Sequence, residues 1–461
     1  MNELPETLDE TYERILKGIN KAQKDNAHHL LQCLTVAVRP LLVEELAELL
    51  VFDFEASNSG GIPTLKEDWR WDDEEEAVLS TCSSLITIIP RHNTLVVQFS
   101  HFSVKEYLTS SRLAKLPLGD ISRFRIDLEP AHTIMTQACL ATLLRLDEQG
   151  GNIDARMTPL VNYAAEHWVD HAQFGKVSSY MRDGMDDLFD ISKPHFAAWL
   201  KVHNIDEAWD TFSPHYSSGT YVHYGAGSPL YYASFSGFYD LVERLIMKDP
   251  EQVNACGGRS LFPLPAALYK RHFHVANLLY RHGAVVDVRG TFETTPLYAA
   301  SAQGRIDTMR WLLDHGAAIN GYGYAAGYTP LFYAANTMQL KAVQVLLEHN
   351  ADINSRSIDG ETPLYFVIFN RGSREKFMEM VQLLLEHGAD PNIGNSDHTT
   401  PLHEASSRGL LKATRLLLSY GAKIDAKDKK GRTPLQVAAP NVRDELTKLL
   451  IEHGAVPSSH P

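Results

Sequence analysis

The sequence predicts a mainly α-helical protein whose C-terminal half is a solenoid of repeated helical hairpins. Two recurring markers predict the solenoid. A proline, usually within a Thr-Pro-Leu-like tripeptide, recurs mostly every 33 or 34 residues, at Pro229, Pro263, Pro296, Pro330, Pro363, Pro401 and Pro434. Six of these prolines are followed, in most cases about 20 residues later, by a Gly-Ala or Asn-Ala pair such as Gly316-Ala317.

Each marker has a structural role. A proline fits the first turn of a helix, where its missing N–H has no intrahelical acceptor, and a preceding Thr or Ser caps the helix. The glycine of the second marker supplies the left-handed residue that ends a helix, and Asn350 also tolerates that conformation. Between the markers, apolar residues such as Val343, Leu346 and Leu347 have helical spacing. Each unit is therefore predicted to be helix, turn, helix and an extended finger.

These units resemble the ankyrin repeat, whose signature is Gly-x-Thr-Pro-Leu-His-x-Ala followed by Leu-Leu-x-x-Gly-Ala. Residues 400–405 (TPLHEA) and 384–389 (LLEHGA) match it closely. We count seven repeats within residues 226–461. The resemblance implies a concave surface that binds a protein and offers no cleft for chemistry. In the second repeat, Pro265 is expected to disturb the first helical turn.

Exposed aromatic residues are the candidates for partner binding, because aromatic side chains are enriched at interface hot spots. Some follow the histidine slot of the signature, which usually lies on the inner surface of such stacks, and others lie in the finger of residues 321–328. The candidates are Tyr232, Tyr322, Tyr324, Tyr328, Tyr333 and Phe366. The alternative is that these rings only pack against adjacent repeats.

The first 114 residues read as a winged-helix domain. Three amphipathic segments, about 8–21, 27–38 and 43–52, precede two β-branched runs, 85–89 and 94–99, that predict a hairpin. Residues 115–225 are predicted to form a helical linker region. Its helical segments are about 132–146, 160–174 and 195–209.

The segments 4–16 and 97–108 look like the region that follows the NTPase core in fungal NACHT–ankyrin proteins, which are NOD-like signal-transduction (STAND) ATPases. This winged helix is of the type named after GPI inositol-deacylase. In that family a histidine at the end of the last wing strand contacts the nucleotide, and His101 is the matching position. No Gly-x4-Gly-Lys-Ser/Thr occurs in this sequence, so we expect no bound nucleotide and no cofactor, and His101 is a nucleotide sensor only if paired with an NTPase core. The core would precede Met1, so the chain is expected to be a shortened gene product or a stand-alone binder.

Composition excludes several function classes. Residues 1–76 hold 18 Asp and Glu against 7 Lys and Arg, a balance that would repel a phosphate backbone, so nucleic acid is not an expected partner. No uncharged apolar run reaches the roughly 18 residues of a membrane span. The four cysteines are scattered, which predicts a reducing compartment and a cytoplasmic protein.

Neither a metal site nor an enzyme is predicted. Glu166, His167 and His171 place two imidazoles on one helical face, but the glutamate precedes the first histidine and no third ligand is recognisable, so this is not the zincin spacing. No Gly-x-Ser-x-Gly elbow occurs either. The predicted function is the sensing and coupling part of a NACHT-type signalling protein, with a protein ligand on the repeats and full-length NACHT relatives as further partners.

The alternative is an F-box-like substrate adaptor of a ubiquitin ligase, because residues 4–8 superficially resemble the start of such a domain. The acidic segment around Trp69 and Trp71 and the wing hairpin do not fit that reading. An NTPase is a third hypothesis, which requires measurable ATP binding.

Overall fold

The computed structural model describes residues 8–54, 61–82, 84–92, 94–114, 119, 121–146, 158–203, 227–258, 262–290, 294–321, 323, 326–370, 376–438 and 443–456. The chain divides into two compact units. The first unit comprises residues 1–252 with 257–259, and the second comprises residues 253–256 with 260–461.

The first unit begins with a winged helix. Its helices are α1 (Leu8–Gly18), α2 (Lys24–Val36), α3 (Val43–Leu49), α4 (Glu74–Cys82), α5 (Phe102–Leu108) and α6 (Ser111–Ala114). Its strands are β1 (Leu41–Leu42), β2 (Phe52–Asp53), β3 (Thr64–Leu65), β4 (Ile86–Arg91) and β5 (Thr94–Phe99). The predicted hairpin is β4–β5, and β1 adds to it as an antiparallel strand to give the order β1-β5-β4. The third predicted helix ends early, at Leu49, because Phe52 pairs with Leu65 instead.

The linker region is helical, as predicted. It contains α7 (Leu128–Leu143), α8 (Val161–Ala172), α9 (Val177–Tyr180), α10 (Arg182–Leu188) and α11 (His195–Val202). The helix α7 starts four residues before the predicted His132, and Glu129 lies in its first turn, where the helix dipole favours a carboxylate. The predicted helix 195–209 ends instead at Val202, because the backbone of His203 is extended, and residues 204–209 lie outside the described residues. Trp168 of α8 and Trp199 of α11 are fully buried, so these helices share a core.

Repeats one to six each contain the predicted helix pair. The pairs are α12 (Pro229–Ser236) with α13 (Tyr239–Lys248), α14 (Pro263–Tyr269) with α15 (Phe273–Arg281), α16 (Pro296–Ala302) with α17 (Ile306–Asp314), α18 (Pro330–Asn336) with α19 (Leu340–Glu348), α20 (Pro363–Asn370) with α21 (Phe377–Glu386), and α22 (Pro401–Ser407) with α23 (Leu411–Ser419). The expected caps are present: Thr329, for example, accepts a hydrogen bond from the N–H of Phe332 at 3.3 Å. The left-handed ending is also present, and Asn350 adopts it with φ 61°.

Two expectations about the helices are wrong. Pro265 does not disturb α14, because it is the third residue of a helix whose first four N–H groups have no intrahelical acceptor. In the seventh repeat, residues 434–437 form turns where the first helix is expected, and the described residues contain the second helix, α24 (Arg443–Glu452). The sequence places Pro440 six residues after Pro434, where a helix interior needs an N–H.

A ladder of side-chain hydrogen bonds joins successive repeats in the second unit. In each step an Asn or Asp oxygen accepts a hydrogen bond from a backbone N–H about 31 to 36 residues later. The acceptors are Asn254, Asp287, Asn320, Asn354, Asn392 and Asp425. Because each step links one repeat to the next, the ladder fixes the spacing of neighbouring units, which is the interaction on which a solenoid depends.

Candidate partner-binding surface

Three aromatic rings from two repeats lie together in the second unit. The ring of Tyr328 stacks on Phe332, with centroids 4.3 Å apart and an interplanar angle of 24°. The ring of Phe366, from the next repeat, lies 4.7 Å from Phe332 and 5.3 Å from Tyr328. Phe332 is almost fully buried and forms the floor, whereas Tyr328 and Phe366 are half-buried.

A fourth ring extends this set towards the sixth repeat. Phe369 is 41% exposed and lies one helical turn after Phe366, with centroids 6.3 Å apart. The guanidinium of Arg408 lies 4.9 Å from the centroid of Phe369, and Arg408 also forms an ion pair with Glu404. We call Tyr328, Phe332, Phe366 and Phe369 the aromatic surface.

Carboxylates border the aromatic surface. The side chain of Glu361 hydrogen-bonds to Tyr328, and Ser357 donates to the same carboxylate at 3.5 Å. Burial, together with the negative charges of Glu361 and Asp359, raises the pKa of Tyr328 to about 12. Burial and the neighbouring Asp359 also raise the pKa of Glu361. A negative potential therefore covers this edge of the aromatic surface.

The remaining candidates from the sequence lie in different surroundings. Tyr333 is half-buried and packs 4.8 Å from Tyr298 of the preceding repeat, so its ring contributes partly to packing between repeats. Tyr232 is only 2% exposed and packs against Phe196 and Trp199, in the first unit. A ring so deeply buried offers no surface to a partner, and it is left out of the binding surface.

Tyr322 and Tyr324 lie outside the described residues. Sequence reasoning missed three contributors to this region: Phe369, Glu361 and Arg408. A helical-spacing argument could have found Phe369, because it stands three residues after Phe366 on the same helix. The hydrogen bond of Glu361 joins residues 33 positions apart, and no local sequence signal marks it.

His101 caps a helix in the winged-helix domain. Its Nδ1 accepts a hydrogen bond from the N–H of Ser103 at 3.3 Å, at the start of α5. The hydroxyl of Ser103 lies 2.6 Å from the same nitrogen and 2.7 Å from the hydroxyl of Tyr12. Since Nδ1 accepts, the ring proton is on Nε2, and the ring is exposed.

His167 and His171 hydrogen-bond to different partners, Asp170 and Tyr163, and the structure does not bring the two rings together as ligands of one metal ion. His171 Nε2 lies 2.9 Å from the hydroxyl of Tyr163, whose oxygen accepts from the N–H of Val38 at 3.1 Å. Val38 can only donate, so the proton of the Tyr163 hydroxyl has His171 Nε2 as its acceptor among these partners, and the Nδ1–H of His171 then donates to His132 Nδ1 at 2.9 Å. Within the ranges that the structure describes, no group of three or more His, Cys, Asp or Glu could hold a metal ion.

Comparison with protein families gives two matches. The family described as ankyrin repeats (3 copies) matches residues 230–323, 266–357, 319–395 and 369–460. The family described as GPI inositol-deacylase, winged helix domain, matches residues 12–116. Both agree with the two folds predicted from the sequence.

Similar proteins include azaphilone pigments biosynthesis cluster protein L of Monascus ruber, which is 31% identical over 302 residues. This match covers 62% of the chain and 61% of the Monascus protein. Ankyrin repeat and SOCS box protein 16 of Homo sapiens is 34% identical over 137 residues, 30% of each chain. Among solved structures, the ankyrin repeat domain of Bcl-3 is 30% identical and covers 49% of this chain and 99% of that one, with a TM-score of 0.44.

Proposed function

Because the chain belongs to the ankyrin-repeat family, we propose that it holds a protein ligand on the aromatic surface of its fourth and fifth repeats. Ankyrin stacks act in protein–protein interaction, since stacked repeats present an extended surface. The single observation that carries the proposal is Phe369, a large apolar side chain that is 41% exposed at the edge of three packed rings.

The arrangement of the rings supports binding in preference to simple packing. Phe332 already fills the interior between the repeats, so Tyr328 and Phe366 lie above it and remain half-exposed. Rigid aromatic rings that are held by their neighbours lose little conformational entropy when a partner covers them. A partner therefore gains buried apolar area here at low cost.

A matched pair of variants tests this proposal. The full chain is panned against a phage-displayed random peptide library, and the affinity of each selected peptide is measured by fluorescence polarisation. We expect Phe369→Ala to weaken binding at least tenfold, as for a hot-spot residue. Tyr420→Ala is the control, because Tyr420 is equally exposed, at 41%, but lies at the C-terminal end of α23, the second helix of the sixth repeat. Equal losses in both variants, or none in Phe369→Ala, would contradict the proposal.

We also propose a more specific role, in which the chain is the sensing and coupling part of a NACHT-type signalling system. Its support is the winged helix with the exposed imidazole of His101 at the start of α5. The test is to add the full chain to the purified nucleotide-binding core of a full-length fungal NACHT–ankyrin protein and to measure ATP hydrolysis. We expect the rate to change with the wild-type chain and to change less with His101→Ala. An unchanged rate in both mixtures argues against coupling.

The chain acts by binding and not by catalysis, and it works in the cytoplasm. Support for this location comes from four free cysteines, three of them buried, as is usual in a reducing compartment. No helix in the described part of the chain has the length and apolar character needed to cross a membrane. Nothing in the described residues or in the similar proteins favours the F-box-like adaptor.

A further inference from the structure

We propose that the aromatic surface selects a partner segment that presents an arginine or lysine side chain beside an apolar one. This inference rests on the proposed function and adds the chemistry of the ligand. It is carried by the charges around the rings and by the exposure of one aliphatic side chain next to them.

Three carboxylates lie beside the rings: Asp359 and Glu361 act on Tyr328, and Glu404 pairs with Arg408, whose guanidinium lies over Phe369. Glu404 therefore already has a basic partner. Asp359 and Glu361 form no ion pair with any residue that the structure describes. The nearby Arg356 directs its guanidinium to the carbonyl of Gly394 at 3.0 Å.

The surroundings of Glu361 make its negative charge energetically unfavourable. Its carboxylate is partly withdrawn from water and lies near the like charge of Asp359. Among the described residues it receives hydrogen bonds from two neutral hydroxyls, those of Ser357 and Tyr328. A cation from a partner would offset both costs. An acidic segment would add a further like charge, and a wholly apolar segment would remove water from Glu361 without supplying a counter-charge.

The rings favour the same class of side chain. The faces of Tyr and Phe attract a guanidinium or ammonium group, and Arg408 already occupies such a position 4.9 Å from the centroid of Phe369. A partner cation beside Glu361 and close to the ring of Tyr328 would repeat this arrangement one repeat earlier.

An apolar contact point lies beside this position. Ile358 is 71% exposed, and its N–H donates to the carbonyl of Ala326 at 2.9 Å, which ties it to the turn before Tyr328. A partner side chain next to the cation can therefore cover Ile358. The preferred ligand is thus a cationic residue with an aliphatic or aromatic neighbour.

Peptides selected by panning the full chain against a random phage library provide the probe. The proposal expects Arg or Lys to be enriched in peptides whose binding depends on Phe369. In the best such peptide, replacement of Arg by citrulline, or of Lys by norleucine, keeps much of the shape and removes the charge. We expect this change to weaken binding to the wild-type chain about tenfold.

Charge-neutral variants of the chain complete a double-mutant cycle. In Glu361→Gln, combined with Asp359→Asn, removing the charge of the peptide should change the affinity less than threefold. Glu386→Gln is the control, because Glu386 is an exposed carboxylate at the end of α21, the second helix of the fifth repeat. This variant should keep the full tenfold effect. Circular dichroism melts verify that all variants are folded.

The outcomes separate the two proposals. Peptides that depend on Phe369 but lack Arg and Lys, or that bind equally well without their charge, overturn the selectivity and leave the proposed function standing. Peptides whose binding ignores Phe369 overturn the proposed function and this inference with it. A charge effect that survives in the double variant also overturns the role of Glu361 and Asp359.

Discussion

The indole of Trp168 stacks on the ring of Phe238, with centroids 5.4 Å apart and an interplanar angle of 27°. Trp168 belongs to α8 of the linker region, and Phe238 stands between the two helices of the first repeat. Trp199 meets the same indole edge-on at 5.5 Å. The first repeat therefore shares a hydrophobic core with the linker helices, and the two are stabilised together within the first unit.

Replacement of Trp168 tests this shared core. Trp168 is completely buried, so Trp168→Ala removes its contacts and leaves a cavity. We expect a loss of about 3–5 kcal/mol in the free energy of unfolding of the first unit, measured by urea denaturation with circular dichroism. Trp69→Ala is the control, since Trp69 is 49% exposed and should cost less than about 1 kcal/mol. Similar losses for the two variants would contradict the shared core.

The left-handed ending of α19 gives a second prediction. Asn350 is exposed and adopts φ 61°, where a Cβ atom is unfavourable. Asn350→Gly removes the Cβ and restores the residue found at most of the other endings, so we expect stability to rise by about 0.5 kcal/mol. Asn350→Ala keeps the Cβ and loses the tolerance of asparagine, and should lower stability by about 1 kcal/mol. Thermal melts of the two variants should shift in opposite directions.

Local signals predicted the repeats well, because their proline, cap and glycine act within one turn of the chain. The same local reasoning misjudged Pro265, where the position within the helix decides the effect. It also missed that Pro440 stands inside the predicted first helix of the seventh repeat. Of the aromatic surface, the sequence named Tyr328 and Phe366 as candidates, and their role in binding stays a prediction. The burial of Tyr232 depends on Phe196 and Trp199, which no spacing within the repeat reveals.

The inter-repeat ladder was likewise invisible to local patterns, and it supplies a third prediction. Asn392 joins its repeat to the next through two hydrogen bonds. Its Oδ1 accepts from the N–H of Lys423 at 2.7 Å, and its Nδ2 donates to the carbonyl of Gly421 at 3.1 Å. We expect Asn392→Ala to lower the free energy of unfolding of the second unit by about 1–2 kcal/mol. Asn392→Asp keeps the acceptor and loses the donor, so its loss should be smaller. Hydrogen exchange of the Lys423 amide checks both, and unchanged protection in Asn392→Ala would rule out the ladder as a stabilising contact.

The buried imidazole of His171 gives a fourth prediction, for the pH dependence of stability. Burial, aided by His132 and His167 and opposed by Asp170, lowers the pKa of His171 from 6.5 to about 3. Burial lowers the pKa of His132 as well. In the folded state both rings therefore stay neutral, which agrees with the donor order from Tyr163 through His171 to His132.

The direction in which stability changes with pH follows from proton linkage. Between pH 6.5 and about 3 the unfolded chain binds a proton at His171 and the folded chain does not, so stability falls as the pH is lowered through this window. Each such histidine contributes a slope of up to about 1.4 kcal/mol per pH unit. In His171→Gln the amide can still accept a hydrogen bond from Tyr163, although its shape differs, so stability at pH 7 should decrease moderately. Between pH 6 and 4, the dependence of stability on pH should become shallower, because unfolding takes up about one proton fewer. Urea denaturation of the full chain at pH 7, 6, 5 and 4 measures this slope. An unchanged slope in His171→Gln would mean that this ring is already protonated in the folded protein, and the donor order through Tyr163 would then be wrong.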